Sequence, residues 1–215
     1  KEHRAVIIFS EKEISGNASY ELFNLAMITG KLGKTASGLI SLKEKNNSQG
    51  LFDMGMCSKL GVGNQLITDE NLVEKLKEKW GVKEIPAPVK SKHIDLLEAG
   101  KIKNMFIFGE DPLGTADYKV KIAGWLLLAD FVMVQDYFMT DTAKQADLIL
   151  PATLPVETGG SFSNTQKILQ EFSKKLKSKV EKTNIEQLLD VLSRFGLNSL
   201  ENVNDGMMEA ISLFP

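Results

Sequence analysis

"NMFIFGEDPLGTADYKVKIAGWLLLADFVMVQDYFMTDTAKQADLILP", residues 104–151, decides the fold. "NMFIF" (104–108), "FVMVQD" (131–136) and "DLILP" (147–151) are short apolar runs that stop at small or polar residues, the pattern of strands in a parallel sheet. A helical pattern over 116–128 separates the first two. "TDTAKQA" (140–146), a turn or short helix, separates the last two. Strand, helix, strand, short helix, strand is the rhythm of a parallel sheet with crossover helices. Phe108, Val134 and Leu150 are therefore expected to finish side by side on one rim, where such sheets bind ligands.

The flanks fit the same α/β class. "AVIIF" (5–9) reads as a buried parallel strand. From Tyr20 onward Leu22, Leu25, Ala26 and Ile28 recur at helical spacing, with Gly30 or Gly33 as the stop. Thr35 to Gln65 is rich in glycine and poor in periodicity, so it is expected to be a long irregular stretch. A helix is expected over 69–80 with Thr68 or Asp69 as its cap. A second, capped by Ser91, presents Ile94, Leu96 and Leu97 and ends at Gly100. The C-terminal part reads as helical, with Ile185, Leu188, Leu189 and Leu192 on one face and Gly196 as its stop. The expected division is 1–65 as part of an α/β domain, 66–170 as a Rossmann-like dinucleotide-binding domain, and 171–215 as a helical segment packing on it.

The totals narrow the function. The chain has 215 residues, 43% of them hydrophobic and 25% charged, with a net charge of −2. That is enough for one good-sized core or two small ones, and it gives no basic footprint for nucleic acid. The lysine-rich 174–182 run is expected to be a solvated face. One cysteine, Cys57, can make neither an internal disulfide nor an iron–sulfur site alone. A reducing, cytoplasmic setting is the simple expectation. The longest apolar run, Ala123 to Val134, is interrupted by Asp130 and is shorter than the roughly 20 residues a membrane span needs. The chain enters its first strand within a few residues of Lys1, which is expected of a piece of something longer.

Three strand ends carry polar groups. Gly109-Glu110-Asp111-Pro112 follows the first. Gln135-Asp136, with Thr140 and Thr142 beyond, closes the second. Glu157 and Gly159-Gly160 follow the third. Glycines let a ligand approach the backbone, a carboxylate can accept from a guanine-type N–H pair, and threonine hydroxyls suit phosphate oxygens. Each motif also reads as a plain turn or helix cap. The 42–55 loop, with Asn46, Asn47, Gln49 and Asp53 among glycines, is either a solvated loop or a binding loop. His3 and His93 are expected on the surface, and Trp80 and Trp125 in packing.

Two segments resemble the molybdopterin oxidoreductases, the group of formate dehydrogenase α subunits and the large iron–sulfur subunit of respiratory complex I. "NLAMITGKLGKTASGLISLKEKNNSQGLFDMG" (24–55) is similar to that family's helix, glycine stretch and Asn-Asn-x-Gln-Gly…Asp-Met-Gly loop. "FIFGEDPLGT…FVMVQDYFMTDTAKQADLILPATLPVETGGSFSNT" (106–165) is similar to its Gly-Glu-Asp-Pro turn, its Gln-Asp…Thr-x-Thr-Ala run and its Glu-x-x-Gly-x-Phe-x-Asn close. The resemblance implies a molybdopterin guanine dinucleotide cofactor carrying molybdenum or tungsten. It puts Gly109, Glu110, Asp111, Gln135, Asp136, Thr140 and Thr142 along a guanosine-diphosphate arm. Asn47, Gln49, Gly50 and Asp53 would face the pterin, with Glu157 to Asn164 as a wall of the pocket.

The departures from the family are specific. Its iron–sulfur cysteines, and the cysteine or selenocysteine that ligates the metal, have no counterpart here. Any iron–sulfur cluster would belong to parts not in this chain. Lys43 stands where formate dehydrogenases carry an arginine beside the metal; it is the one candidate catalytic position, and a point charge without the bidentate fork. Gln166 and Lys167 stand where the family has an acidic residue and an arginine. The implied partners are the remaining domains of the same subunit, or iron–sulfur and NADH-oxidising subunits. Two functions follow: the cofactor-binding portion of a formate dehydrogenase-like enzyme, or a complex I-like scaffold that keeps the fold without the metal.

Overall fold

The computed structural model describes residues 3–88, 92–196, 208, 210 and 212–213. In chain order the elements are β1 (Val6–Ser10), α1 (Gly16–Ile28), β2 (Gly38–Leu42), α2 (Ser48–Asp53), α3 (Glu70–Trp80), α4 (His93–Glu98), β3 (Asn104–Phe108), α5 (Pro112–Thr115) and α6 (Lys119–Leu128). There follow β4 (Phe131–Asp136), β5 (Leu148–Pro151), α7 (Pro155–Thr158), β6 (Gly160–Ser163), β7 (Leu169–Phe172) and α8 (Asn184–Arg194). Short 3-10 turns cover Val62–Asn64 and Ala143–Gln145. The fold is mixed α/β with small parallel sheets. It divides into two compact units. One comprises 1–85, 161–172 and 213–215, the other 86–160 and 173–212.

In the second unit β3, β4 and β5 form a parallel sheet in that order. Phe108 pairs with Gln135, Gln135 with Leu150, and Asp136 with Pro151, so the three carboxyl ends do finish abreast. β4 is central and buried on both faces. On one, Val132 and Val134 pack with Ile122 and Leu126 of α6 and with Ala143. Trp125 joins that core, with its ring edge-on to Tyr118 at 6.0 Å. On the other face, Met133 and Gln135 are buried and the Gln135 amide meets α8.

In the first unit β1 and β2 pair in parallel, from Val6↔Gly38 to Ser10↔Leu42. A separate core gathers Val62, Leu72, Leu76 and Leu213, with Ile67 and Ile85 against it. β6 and β7 form a two-stranded sheet, with the Phe162 and Phe172 rings 4.7 Å apart.

Helix ends follow side-chain chemistry. The Ser15 hydroxyl caps α1 by accepting from the Ala18 N–H, and the Asp69 carboxylate caps α3 through Leu72 N–H at 3.0 Å. Thr183 and Glu186 form a reciprocal capping box at α8. α1 thus begins four residues before Tyr20, where the apolar period first shows. The expected Ser91 cap lies outside the described residues.

Three expectations change. Thr35–Gln65 is not irregular throughout. It holds β2 and α2, a strand sustained by pairing with β1 and a helix too short to display a period. The "AVIIF" strand is parallel but not buried, since Val6 is 47% and Ile8 60% exposed. α8 turns Asn184 and Gln187, rather than its apolar face, toward the sheet, leaving Ile185 and Leu192 exposed. Among the described residues no helix is long and apolar enough to cross a membrane.

Leu126 and Leu127 are neighbours on α6, 7% and 80% exposed. Leu126→Ala should cost about 2–5 kcal/mol of unfolding free energy, while Leu127→Ala should stay within about 0.5 kcal/mol of the parent. Denaturant unfolding of the two variants measures the difference.

Candidate functional site

At the rim of the three-stranded sheet, hydrogen bonds continue past the strand ends. Gly109 N–H donates to the Gln135 carbonyl at 2.8 Å, and Ala152 N–H to the Asp136 carbonyl at 2.9 Å. The loops leaving β3, β4 and β5 are therefore anchored to one another at their first residue. Gly109 has φ of +62°, a conformation that suits glycine, and a Cβ built on it would meet nothing within 4 Å. There is open room above the backbone at that end.

Asp111 and Thr142 lock the first two loops together. The Asp111 Oδ1 accepts from the Thr142 hydroxyl at 2.6 Å and from its N–H at 3.0 Å. The Thr142 Oγ1 accepts in turn from Leu113 N–H at 3.0 Å. Thr142 is fully buried. A Cβ on Gly114 would lie 1.9 Å from the Asp111 Oδ2, so only glycine lets that carboxylate sit over α5. Burial pushes the Asp111 carboxyl up. The Thr142 hydroxyl, then the N–H groups of Thr142, Gly114 and Asp141, outweigh it and hold the group below its ordinary 3.8.

Asp136 is placed differently. It is 8% exposed. Its Oδ1 accepts from Tyr137 N–H at 2.6 Å and Phe138 N–H at 3.3 Å, which fixes the start of the loop. Its Oδ2 accepts no hydrogen bond from any described residue. Thr140 Oγ1 caps the following turn by accepting from Ala143 N–H at 3.1 Å, and its own O–H proton is given to no described acceptor. The rim thus gathers Gly109, Asp111, Asp136, Thr140 and Thr142. Glu110 sits exposed beside them. Gln135 does not join them. Its amide donates to the Gln187 Oε1 at 3.1 Å and the Asn184 carbonyl at 3.3 Å, away from the loops.

Behind the rim lies a polar clasp that sequence reasoning missed. Asn184 Oδ1 accepts from the N–H and hydroxyl of Thr153, at 2.6 and 3.0 Å, and its amide donates back to the Thr153 carbonyl at 3.2 Å. Gln187 Nε2 donates to the carbonyls of Pro151 at 2.8 Å and Lys182 at 2.9 Å. The available signal was the Asn-x-x-Gln spacing, which sets both amides on one face of α8. Glu157 closes the first turn of α7 by accepting from Leu154 N–H at 2.8 Å.

In the first unit a second polar group surrounds α2. The Asp53 Oδ1 accepts from Gln49 Nε2 at 2.9 Å and Asn64 Nδ2 at 2.8 Å, with Lys167 Nζ 4.0 Å away. The Asn47 Oδ1 accepts from Ser163 N–H at 3.1 Å. Gly50 is needed there, because a Cβ on it would lie 2.3 Å from that oxygen. Lys43, directly after β2, places its ammonium 2.7 Å from the Glu11 carboxylate and 5.8 Å from the Phe52 ring centre. Bonds from Lys43 first, then from the Ser41 hydroxyl, hold the Glu11 carboxyl below its ordinary 4.5 against burial. Glu11 was not foreseen, although the parallel register that pairs Ser10 with Leu42 puts it abreast of Lys43. His3 and His93 are exposed as expected, Trp80 is half exposed, and Cys57 is half-buried. Among the described residues no three His, Cys, Asp or Glu side chains gather closely enough to hold a metal ion.

Residues 12–195 match the molybdopterin oxidoreductase family. The chain belongs to that family. Formate dehydrogenase H of Escherichia coli (strain K12) is 35% identical over 179 residues, 81% of this chain and 25% of that protein. YjgC of Bacillus subtilis (strain 168), named a probable oxidoreductase, is 31% identical over 204 residues, 93% of this chain and 21% of that protein. The chain spans between 17% and 25% of the length of the curated relatives it matches first. Acetylene hydratase from Pelobacter acetylenicus aligns at 24% identity with a TM-score of 0.44, over 59% of this chain and 19% of that one.

Thr142→Val keeps the volume but removes the hydroxyl that Asp111 and Leu113 share. It should cost about 1–3 kcal/mol. Because the Asp111 pKa is lowered on folding, its contribution is full above 3.8 and is lost as pH falls through the lower folded value. The variant should therefore lose less stability on acidification than the parent does in that window, which unfolding curves at a series of acid pH values will show.

Proposed function

We propose that this chain is the cofactor-binding portion of a formate dehydrogenase-like molybdopterin oxidoreductase, with the rim of β3, β4 and β5 as the seat of one guanosine-diphosphate arm. The carrying observation is Asp136. Its Oδ2 accepts no bond from a described residue and is open to solvent at the rim, and the N1–H and exocyclic amine of guanine supply a matched pair of donors for such a carboxylate. Gly109 leaves room for the ligand to lie against the backbone. The Thr140 O–H is in hand for a phosphate oxygen. Asp111 and Thr142 hold the loops in place rather than reaching the ligand, and Gln135 acts through α8. When bound, the molybdenum or tungsten held by the pterin dithiolenes supplies the redox chemistry; the chain supplies binding and orientation.

In this reading 66–170 is a Rossmann-like dinucleotide domain of the family's type, with 171–215 packed on it. For Asn47, Gln49, Gly50 and Asp53 of the 1–65 part, the family resemblance implies a pterin-facing role. The remaining domains of the subunit, or iron–sulfur and NADH-oxidising subunits, are the partners, in the cytoplasm. A second reading is favoured by Lys43. Its charge is engaged by Glu11 and it lacks the planar fork of an arginine, which suits a scaffold that keeps the fold without the metal. Molybdenum and tungsten analysis of the native protein, with pterin fluorescence after oxidation, separates the two.

GDP should raise the unfolding temperature of the chain. Asp136→Ala should weaken GDP binding by about 1–3 kcal/mol, the range for losing a charged hydrogen-bond partner. Calorimetric titration reads the effect, and an unchanged affinity would remove Asp136 from the site.

A further inference from the structure

The ladder between β1 and β2 continues past both strands, with Glu11 N–H donating to the Leu42 carbonyl at 3.1 Å. Carried on from Ser10↔Leu42, the register sets Glu11 beside Lys43 and Lys12 beside Glu44. Two ion pairs of opposite sense result, in different surroundings. Lys12 and Glu44 lie 3.4 Å apart, with side chains 62% and 58% exposed. Lys43 and Glu11 lie 2.7 Å apart, and the Lys43 side chain is only 17% exposed against 46% for Glu11. The Ser41 hydroxyl donates to the same Glu11 oxygen. The Phe52 ring, its centre 5.8 Å from the ammonium, covers Lys43 on another side without supplying a counter-charge. A cation so covered has little surface left beside its partner, so an anion approaching Lys43 must displace the Glu11 carboxylate.

We propose that Glu11 is a specificity-determining residue: by holding Lys43 it closes the carboxyl end of β1 and β2 to small anions, so that a ligand reaching this end is uncharged. An anion meets a like charge there and must also break the pair, whereas a neutral ligand meets neither penalty. The bond from Lys43 first, then that from Ser41, holds the Glu11 carboxyl below its ordinary 4.5. The end therefore stays closed at neutral pH and opens to anions as pH falls through the lowered value. Lys43 is the charge that faces Glu11 from β2. Lys12, next to Glu11 in the chain, is paired with Glu44, and Asp53 of α2 is engaged by Gln49 and Asn64. The inference concerns the first unit and does not rest on the nucleotide reading, which concerns the second.

NMR titration of the full chain with trifluoroacetate and with its uncharged amide, at constant ionic strength, tests this. Trifluoroacetate stays ionised in acid, so its own charge does not change with pH. Glu11→Gln keeps the side-chain length and an oxygen for Lys43 and Ser41. Read at the amides of Leu42, Lys43 and Glu44, it should tighten trifluoroacetate about 3- to 10-fold, between the effects of an exposed ion pair and an enclosed charged hydrogen bond. It should leave trifluoroacetamide unchanged. Glu44→Gln alters the net charge equally and should leave both ligands unchanged. Adding Lys43→Gln to Glu11→Gln should abolish the gain. In the parent, trifluoroacetate should tighten as pH falls below 4.5 through the lowered Glu11 value, and in Lys43→Gln it should not. If Glu11→Gln binds trifluoroacetate as the parent does, or if Glu44→Gln gains as much, the inference is overturned. Should Glu11→Gln not fold, the pH series on the parent decides, and an affinity that stays flat through that window overturns it.

Discussion

Everything at the candidate site depends on β4 being paired in parallel on both edges. An edge strand could slip by a residue and turn Asp136 to the other face. A strand held by β3 and β5 at once cannot slip without breaking two ladders. Burial adds a second lock, since Val132 and Val134 must meet α6 while Met133 and Gln135 are buried on the opposite side. The register Phe108↔Gln135 and Asp136↔Pro151 then brings three loop starts to one line. Parallel pairing makes this possible, because in an antiparallel sheet alternate loops leave from opposite ends. The Asn184 and Gln187 amides extend the lock to the segment beyond β5, where Ala152 and Thr153 are buried.

What was legible in the sequence follows from where the information is local. β3 and β4 are apolar runs whose limits coincide with a change of residue type, and the structure begins and ends both at those limits. The rim was legible for the same reason, since strand order and parallel direction follow from the crossover rhythm. β2 was not. "GLISL" has no alternation of its own and becomes a strand because β1 lies beside it. The amide clasp was also hidden. A helix with Ile185, Leu188, Leu189 and Leu192 announces an apolar contact, whereas Gln187, 9% exposed, makes the buried contact. Hydrophobic period locates a helix, but it does not say which face is needed when the opposing surface offers the Pro151 and Thr153 carbonyls and the Gln135 amide.

The first unit shows how a register can alter the meaning of a residue. Lys43 alone reads as a free cation at a strand end. Pairing of β1 with β2 brings Glu11 beside it, while the side chain stays 17% exposed and its ammonium faces the Phe52 ring. A cation so held is screened from incoming anions by its own partner. The lowered Glu11 carboxyl expresses the same attraction from the other side. Asp53 is similar. Two amides on one of its oxygens make it an anchor for α2. Polar residues in this region hold the loop's shape first, and any role toward a pterin is built on that shape.

Hydrogen-bond accounting separates the two aspartates of the rim, which sequence alone treats alike. The Asp111 Oδ1 receives the N–H and the hydroxyl of Thr142, and its pKa is lowered accordingly. Those bonds tie two loops that are 31 residues apart in the chain. Asp136 spends one oxygen on the N–H groups of its own next two residues and leaves the other to solvent. Asp111, which joins one loop to another, therefore belongs to the architecture of the rim. Asp136 fixes the start of the loop that leaves the central strand, and its second oxygen faces solvent there.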